Sequence, residues 1–334
     1  MVTVTTEGLY CKKGNFHIDP WRPVPTAIIT HAHADHARPG HTHYFATPTG
    51  LRAMQKRLGN ISGTAVPYGE KKRFGDVWVS FHPAGHVLGS AQIRIEGKDE
   101  NGRESVWVVS GDYKRTPDRS CEPFEVVQCD TFISEATFGL PIYQWQNTAE
   151  LAKEIVDWAK GYNGPSLVFC YAFGKAQRLL AEFALLDTPP IYLHGAAIAL
   201  SELYRECGYT LAPFSPATLP AGGGRKKQSF GQSIILAPPS THRSEWMNRF
   251  QDPQTAFASG WMAVRGKKKQ RGYDRGFAIS DHADWNDLVS TILATGAKQV
   301  YITHGQSDVL ARYLREIHHL SAEPLETLFE GEGE

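Results

Sequence analysis

The sequence predicts an α/β protein built in two parts, and three observations carry that prediction. Short apolar segments broken by turns fill roughly the first 145 residues, the spacing of a β-rich layer. From about residue 147 the rhythm changes to alternating helix-like and strand-like segments, the pattern of a parallel sheet with crossover helices. A dense run of metal-ligand side chains, His31-Ala-His33-Ala-Asp35-His36, hangs on the end of one early strand.

Taken in order, the early strands are expected at Thr26–Thr30, His43–Thr47, Asp76–Ala84, Ser90–Glu96 and Ser105–Asp112. Between the last two lies Asp99-Glu100-Asn101-Gly102, a hairpin turn in which Asn101 and Gly102 can both take positive φ. Asn147, with Glu150 three positions on, makes an N-cap for the amphipathic stretch Thr148–Lys160. Strand-like Ser166–Phe173, Ile191–His194, Ser233–Pro239 and Thr255–Trp261 follow, with helices over Lys175–Leu186 and Ala197–Cys207. The chain then returns with a helix from Trp285, the strand Gln299–Gly305 and a last helix from about residue 307 to 319. The Gly/Lys/Arg-rich pieces 221–227 and 265–276 read as loops, and no internal repeat is visible.

Composition narrows the classes. The chain has 334 residues, enough for one large or two ordinary domains, and its 35 basic and 35 acidic residues cancel. A nucleic-acid footprint must therefore be a local patch rather than a global basic excess. Cys11, Cys121, Cys129, Cys170 and Cys207 are scattered without a CxxC pair, which argues against a disulfide framework and for a reducing, cytoplasmic setting. The amino terminus has no signal-peptide pattern and no apolar run reaches membrane-spanning length, so no membrane partner is expected.

The HxHxDH run packs four ligand-type side chains into six residues. Imidazole and carboxylate suit a borderline cation such as Zn²⁺ or Mn²⁺, and alternating positions on an extended loop can serve two ions. Further ligands are expected from isolated strand ends, and His86, Asp112 and His304 each end or border an apolar strand.

The order HxHxDH, then Gly85-His86 followed by Gly89-Ser90-Ala91, then Ser110-Gly111-Asp112, resembles the metallo-β-lactamase superfamily over essentially the whole chain. The resemblance implies an αββα sandwich with two divalent metal ions at the sheet edges. One metal would be held by His31, His33 and His86 and the other by Asp35, His36 and His304, with Asp112 bridging them and Asp19 orienting the cluster. A hydroxide between the ions would be the nucleophile.

Three more motifs resemble the β-CASP nuclease family: Glu135-Ala136-Thr137-Phe138-Gly139, Ser280-Asp281-His282-Ala283-Asp284, and Thr303-His304-Gly305. They imply a metallo-β-lactamase domain over 1–146 and 263–334, with an inserted α/β β-CASP domain over 147–262. Glu135 would hold His282, and His282 would face the leaving oxygen as general acid or charge stabiliser. The subgroup most similar is the bacterial DNA-ligase-associated exonucleases. That likeness implies single-strand-directed DNA cleavage alongside repair ligases and helicases. His304 departs from the valine usual in the DNA-repair branch and is shared with the RNA-processing branch, so a β-CASP ribonuclease is the first alternative.

Substrate phosphates have two sets of candidates. Arg265, Lys267, Lys268, Lys269, Arg271 and Arg275 form a basic loop just before the His282 motif. Lys175 follows a strand and opens a helix, a setting suited to an anion. A small-molecule thioesterase of the same fold is disfavoured by Glu135, His282 and the insertion, and a non-catalytic scaffold by the complete ligand set.

Overall fold

The computed structural model describes residues 1–218, 230–264 and 272–327. These form two compact units, one of Met1–Tyr143 with the chain from His282 onward, the other of Gln144–Asp281.

The first unit carries two sheets. Strands β1 (Val2–Val4), β2 (Leu9–Cys11), β3 (Phe16–Ile18), β4 (Thr26–Ile28), β5 (His43–Ala46) and β6 (Gly63–Ala65) lie side by side in chain order. The first three pair antiparallel and the rest parallel. Helix α1 (Pro48–Leu58) makes the β5-to-β6 crossover. Thr47 caps it by accepting from Gly50 N, and Pro48 is preset for a first helical turn. The second sheet holds β7 (Lys72–Phe74), β8 (Val77–Pro83), β9 (Ala91–Lys98), β10 (Glu104–Val109) and β11 (Thr131–Glu135). It is completed by two strands from the C-terminal part, Gln299–Thr303 and Ser321–Pro324, which stand beside β11. Residues β7 to β10 form an antiparallel meander, and from β10 outward the pairing is parallel.

Period-two alternation decides which face each residue serves. Phe16, Ile18 and Ile28 of the first sheet meet Val79, Phe81, Ile93 and Ile95 of the second in one buried cluster. On the opposite face of the second sheet, Val108, Phe132, Val300 and Ile302 pack on Leu288 and Ile292 of the helix Trp285–Ala294 and on Leu310 and Leu314 of the helix Ser307–His318. Strand β11 is buried along its whole length and feeds both clusters, Phe132 one way and Ile133 the other.

The second unit opens with α2 (Thr148–Lys160), capped by Asn147, whose side chain accepts from Ala149 N at 2.8 Å. Then come β12 (Pro165–Phe169), α3 (Lys175–Phe183), β13 (Ile191–Leu193), α4 (Gly195–Glu206), β14 (Ser215–Pro216), β15 (Ser233–Ala237), β16 (Gln254–Ala258) and β17 (Arg275–Phe277). The strands stand in the order β14-β13-β15-β12-β16-β17 and every pair is parallel. In chain order the returning elements of the first unit are then α5 (Trp285–Ala294), β18 (Gln299–Thr303), α6 (Ser307–His318) and β19 (Ser321–Pro324).

Two details depart from the sequence expectations. The second unit extends through Asp281 rather than ending at residue 262, because Arg275–Phe277 pairs with β16 and forms the sheet's edge strand. In the β9–β10 hairpin only Gly102 takes positive φ. Asp99 organises that turn instead, its carboxylate accepting from Asn101 N at 2.8 Å and Arg103 N at 2.9 Å. Among the described residues no helix is long and apolar enough to cross a membrane.

Candidate metal centre

The His31–His36 loop starts where β4 runs out, and Asp19 anchors it. Asp19 sits at the end of β3 with φ 44°, a turn conformation that aspartate tolerates better than most residues. Its carboxylate accepts from Thr30 N at 2.7 Å and from Thr30 Oγ1 at 2.5 Å. The same Oδ2 lies 2.7 Å from His36 Nδ1, which fixes the His36 ring with Nε2 turned inward. Asp19 thus orients the loop and, among the described residues, stands outside each group of side chains that could hold an ion.

Two such groups share Asp112. His31, His33, His86 and Asp112 form one, and His36, Asp112 and His304 the other. His33 Nδ1 is 3.1 Å from both His31 Nε2 and His86 Nε2, and Asp112 Oδ2 is 3.5 Å from His31 Nε2 and 3.8 Å from His86 Nε2. A tetrahedral ion with nitrogen ligands at about 2.0–2.1 Å holds its donor atoms about 3.3 Å apart, so this spacing fits a cation. On the other side, His36 Nε2 is 3.4 Å from Asp112 Oδ2 and 3.7 Å from Asp35 Oδ2, and the His36 and His304 rings stack at 5.4 Å. Asp112 Oδ1 is buried without a hydrogen-bond partner, the condition of a carboxylate oxygen aimed at an ion rather than a donor.

Backbone conformation delivers these side chains. Gly111, just before Asp112, has φ 57°, and a Cβ there would come within 2.6 Å of the Thr30 side chain. Only glycine lets the β10 end pass so close to the loop. His304 and Gly305 follow β18 with φ 59° and 54°, and Thr303 Oγ1 lies 2.7 Å from His304 Nδ1.

Electrostatics set the protonation states. Burial, reinforced by the His36 charge, holds the His31 pKa well below the usual histidine range, and burial brings His304 down to about 4. Burial works against ionised Asp112, yet His36, His282 and His31 outweigh it and keep its carboxyl far below the ordinary range. Burial likewise opposes a charged His36, while Asp112, Asp35 and Asp19 raise its pKa well above normal. His31 and His304, held neutral beside an ionised Asp112, are in the forms that bind a cation, whereas His36, held protonated by its three carboxylates, has to lose a proton for Nε2 to act as a ligand.

Beside this cluster stands a separate pair. His282 Nδ1 is 2.8 Å and 3.0 Å from the two carboxylate oxygens of Glu135, and Glu135 Oε1 also accepts from Tyr113 N at 2.8 Å. The His282 ring lies 4.7 Å from that of His86. Burial, with Asp112 pushing the same way, raises the Glu135 pKa against the pull of His282. Glu135 and His282 also fall with Asp112 in a third ligand-type group.

The substrate candidates fare differently. Arg265, Lys267, Lys268, Lys269 and Arg271, like the 221–227 run, lie outside the described residues. Arg275 pairs with Glu154 at 3.1 Å on the rim of the second unit. Lys175 does not offer its charge to solvent: it is fully buried, with Nζ 3.3 Å from Asp281 Oδ2. Arg178 joins it, with Nε 2.9 Å from Asp281 Oδ1 and Nη1 donating to Ser280 O at 3.2 Å. The sequence reading missed Thr30, Tyr113 and Arg178, which act through backbone amides or buried pairs that leave no spacing signature.

Against known proteins, the chain is 28% identical over 316 residues to a protein of Opitutus terrae named "Probable DNA ligase", covering 93% of this chain and 30% of that one. It is 25% identical over 288 residues to "Ribonuclease TTHA0252" of Thermus thermophilus, covering 75% and 64%. With "Endoribonuclease YSH1" of Gibberella zeae it shares 30% identity over 175 residues, 50% of this chain and 20% of the relative.

These matches accord with a likeness to the β-CASP family of the metallo-β-lactamase superfamily.

The chain spans less than two thirds of each of those three relatives. No family model matches it. Among solved structures, a protein of unknown function from Enterococcus faecalis V583 shares the fold, with a TM-score of 0.54 at 11% identity, covering 90% of this chain and 79% of that one.

Proposed function

We propose that the protein is a metal-dependent nuclease that hydrolyses DNA phosphodiester bonds, acting as a single-strand-directed exonuclease in repair. The observation that carries the reading is the convergence of two ligand groups on Asp112 with the Glu135–His282 pair beside them. In this reading the first unit is an αββα sandwich and 144–281 its β-CASP insertion. His31, His33 and His86 would hold one divalent ion and Asp35, His36 and His304 the other, with Asp112 available to both. Zn²⁺ and Mn²⁺ both suit this nitrogen and oxygen set.

Ions held there would supply a water of lowered pKa and Lewis acidity toward a phosphoryl group. The chain's own residues supply the rest. Asp19 holds the His36 ring through Nδ1 and the loop through Thr30. Glu135, itself fixed by the Tyr113 amide, holds His282 by Nδ1. That leaves Nε2 as the atom that hands a proton to the leaving oxygen. The run Arg265, Lys267, Lys268, Lys269 and Arg271 is our assignment for phosphate contacts along the strand. Lys175 is withdrawn from that role by its burial against Asp281.

The DNA assignment draws on the match to a relative whose name is a DNA ligase. A nuclease that trims strand ends and a ligase that joins them serve the same lesion, so ligase and helicase repair proteins are the expected partners. A cytoplasmic setting accords with five free cysteines. The second reading, RNA processing, is favoured by the ribonuclease names of two other relatives. Matched DNA and RNA oligonucleotides of one sequence, single-stranded and duplex, end-labelled and digested under one metal and salt condition, decide between them. Fastest loss of label from single-stranded DNA is expected. Faster cleavage of RNA transfers the assignment to the second reading, and cleavage of neither, with turnover of a thioester, abandons both.

A further inference from the structure

The backbone carbonyls of the His31–His36 loop cannot all be satisfied within the loop, because the segment is neither strand nor helix. The donors to His33, Asp35 and Ala32 differ in where they come from. His33 O accepts from Ala37 N at 2.8 Å, a turn bond made inside the segment. Asp35 O accepts from Arg38 Nε at 3.4 Å, still a local contact. Ala32 O accepts from Arg57 Nη1, and this donor arrives from a different element, the last turn of α1.

The placement of Ala32 gives that bond its weight. Ala32 is fully buried and sits between His31 and His33, whose imidazoles point at one another around the first ligand group. Rotation of the Ala32 peptide would swing both rings. Arg57 is the residue suited to prevent it, since a guanidinium stays charged when partly buried and offers several fixed donors. Burial works against its charge, while the Asp35 carboxylate supports it, so the guanidinium is also tied electrostatically to the half of the loop that serves the second ligand group. Helix α1 is a firm base for this, with Leu51, Ala53 and Met54 buried and the Thr47 cap bonded to Gly89 O at 2.6 Å.

We propose that Arg57 is a positioning residue for the metal centre: its bond to the Ala32 carbonyl fixes the His31–His33 segment in the conformation that binds the ion. This rests on the metal-centre reading above. Residues that brace ligands from behind typically change metal affinity about 10–100-fold when lost.

The test is metal affinity rather than turnover. Metal-stripped full-length chain is titrated with Zn²⁺ and, separately, Mn²⁺ against a competing chromophoric chelator. Wild type is compared with Arg57→Ala, Arg57→Gln, Arg57→Lys and Lys56→Ala, the last an exposed cation on the same turn. Circular dichroism of each metal-free variant establishes folding, and Arg57→Lys carries the comparison if the shorter side chains do not fold. Arg57→Ala and Arg57→Gln are expected to bind metal at least tenfold more weakly, Arg57→Lys to recover part of the loss, and Lys56→Ala to match wild type. Wild-type affinity in a folded Arg57→Ala overturns the proposal, as does an equal loss in Lys56→Ala. Failure of the wild type itself to bind either ion removes the metal centre, a result separable from failure of Arg57 alone.

Discussion

Among the described residues, each unit holds a cluster of buried charge, and the two are built on opposite logic. In the second unit Lys175 and Arg178 both meet the Asp281 carboxylate, so cations and anion answer one another directly. In the first unit five imidazoles, those of His31, His33, His36, His86 and His304, gather around one carboxylate, Asp112, with their ligand atoms close enough together to share an ion. Burying charge is tolerated in proteins when it is paired or when it coordinates a cation. The Lys175–Arg178–Asp281 arrangement describes a structural pin, and the Asp112 arrangement one that could hold a cation.

The contrast can be broken at its strongest point by Asp112→Ala. Losing the residue common to both ligand groups is expected to remove bound metal and reduce oligonucleotide cleavage to background, with elemental analysis and end-labelled digestion as the measurements. Next in size, His282→Ala is expected to lower turnover by about 10²–10⁴-fold with metal content retained, because its Nδ1 is engaged by Glu135 and its role is in proton transfer. Loss of metal in that variant would make His282 a ligand.

In the second unit the expected effect is on stability alone. Asp281→Asn leaves two buried cations facing a neutral side chain, which is expected to cost about 3–5 kcal/mol in denaturant unfolding. A cost near zero would mean that the pair is not the pin described here.

The smallest effect sharpens the comparison with a buried histidine that belongs to neither cluster. His41 Nδ1 accepts from Val24 N at 3.3 Å, and burial, with His17 adding to it, holds its pKa at about 4. The unfolded chain then binds more protons below about pH 6.5, so stability is expected to fall as the pH drops from there toward 4. His41→Asn keeps an acceptor for Val24 and is expected to flatten that part of the unfolding-midpoint profile. An unchanged profile would place the acid sensitivity elsewhere.

How much of this was readable beforehand follows from the range of the interactions. HxHxDH stands out because four ligand-type side chains share one loop, and His86, Asp112 and His304 because each ends or borders a strand whose alternation is visible; the structure brings His31, His33, His36, His86 and His304 around Asp112. The parallel sheet of the second unit was legible from its rhythm, yet β17 was not. Arg275–Phe277 is three residues beside a basic run, and only pairing with β16 makes it a strand. Strands β1 to β3 were missed for the same reason, each having three residues. Lys175 was misread because an anion at a helix start and a buried partner distant in sequence look alike from the Lys175 side. Asp281, the partner, was in view only as part of a motif.

The register of β11 carries a consequence for assembly in time. Thr131 pairs with Trp107 on one side and with Gln299 on the other, so one flank of this strand closes early and its other flank waits for a distant segment. As the chain emerges from a ribosome, His31, His33, His36, His86 and Asp112 are made long before His304. An ion arriving early would meet one ligand group complete and the other lacking a member. Such long-range closure is slow compared with local pairing. In the proposed centre His304 is therefore also a report of completed folding, since it reaches Asp112 only once β18 has docked.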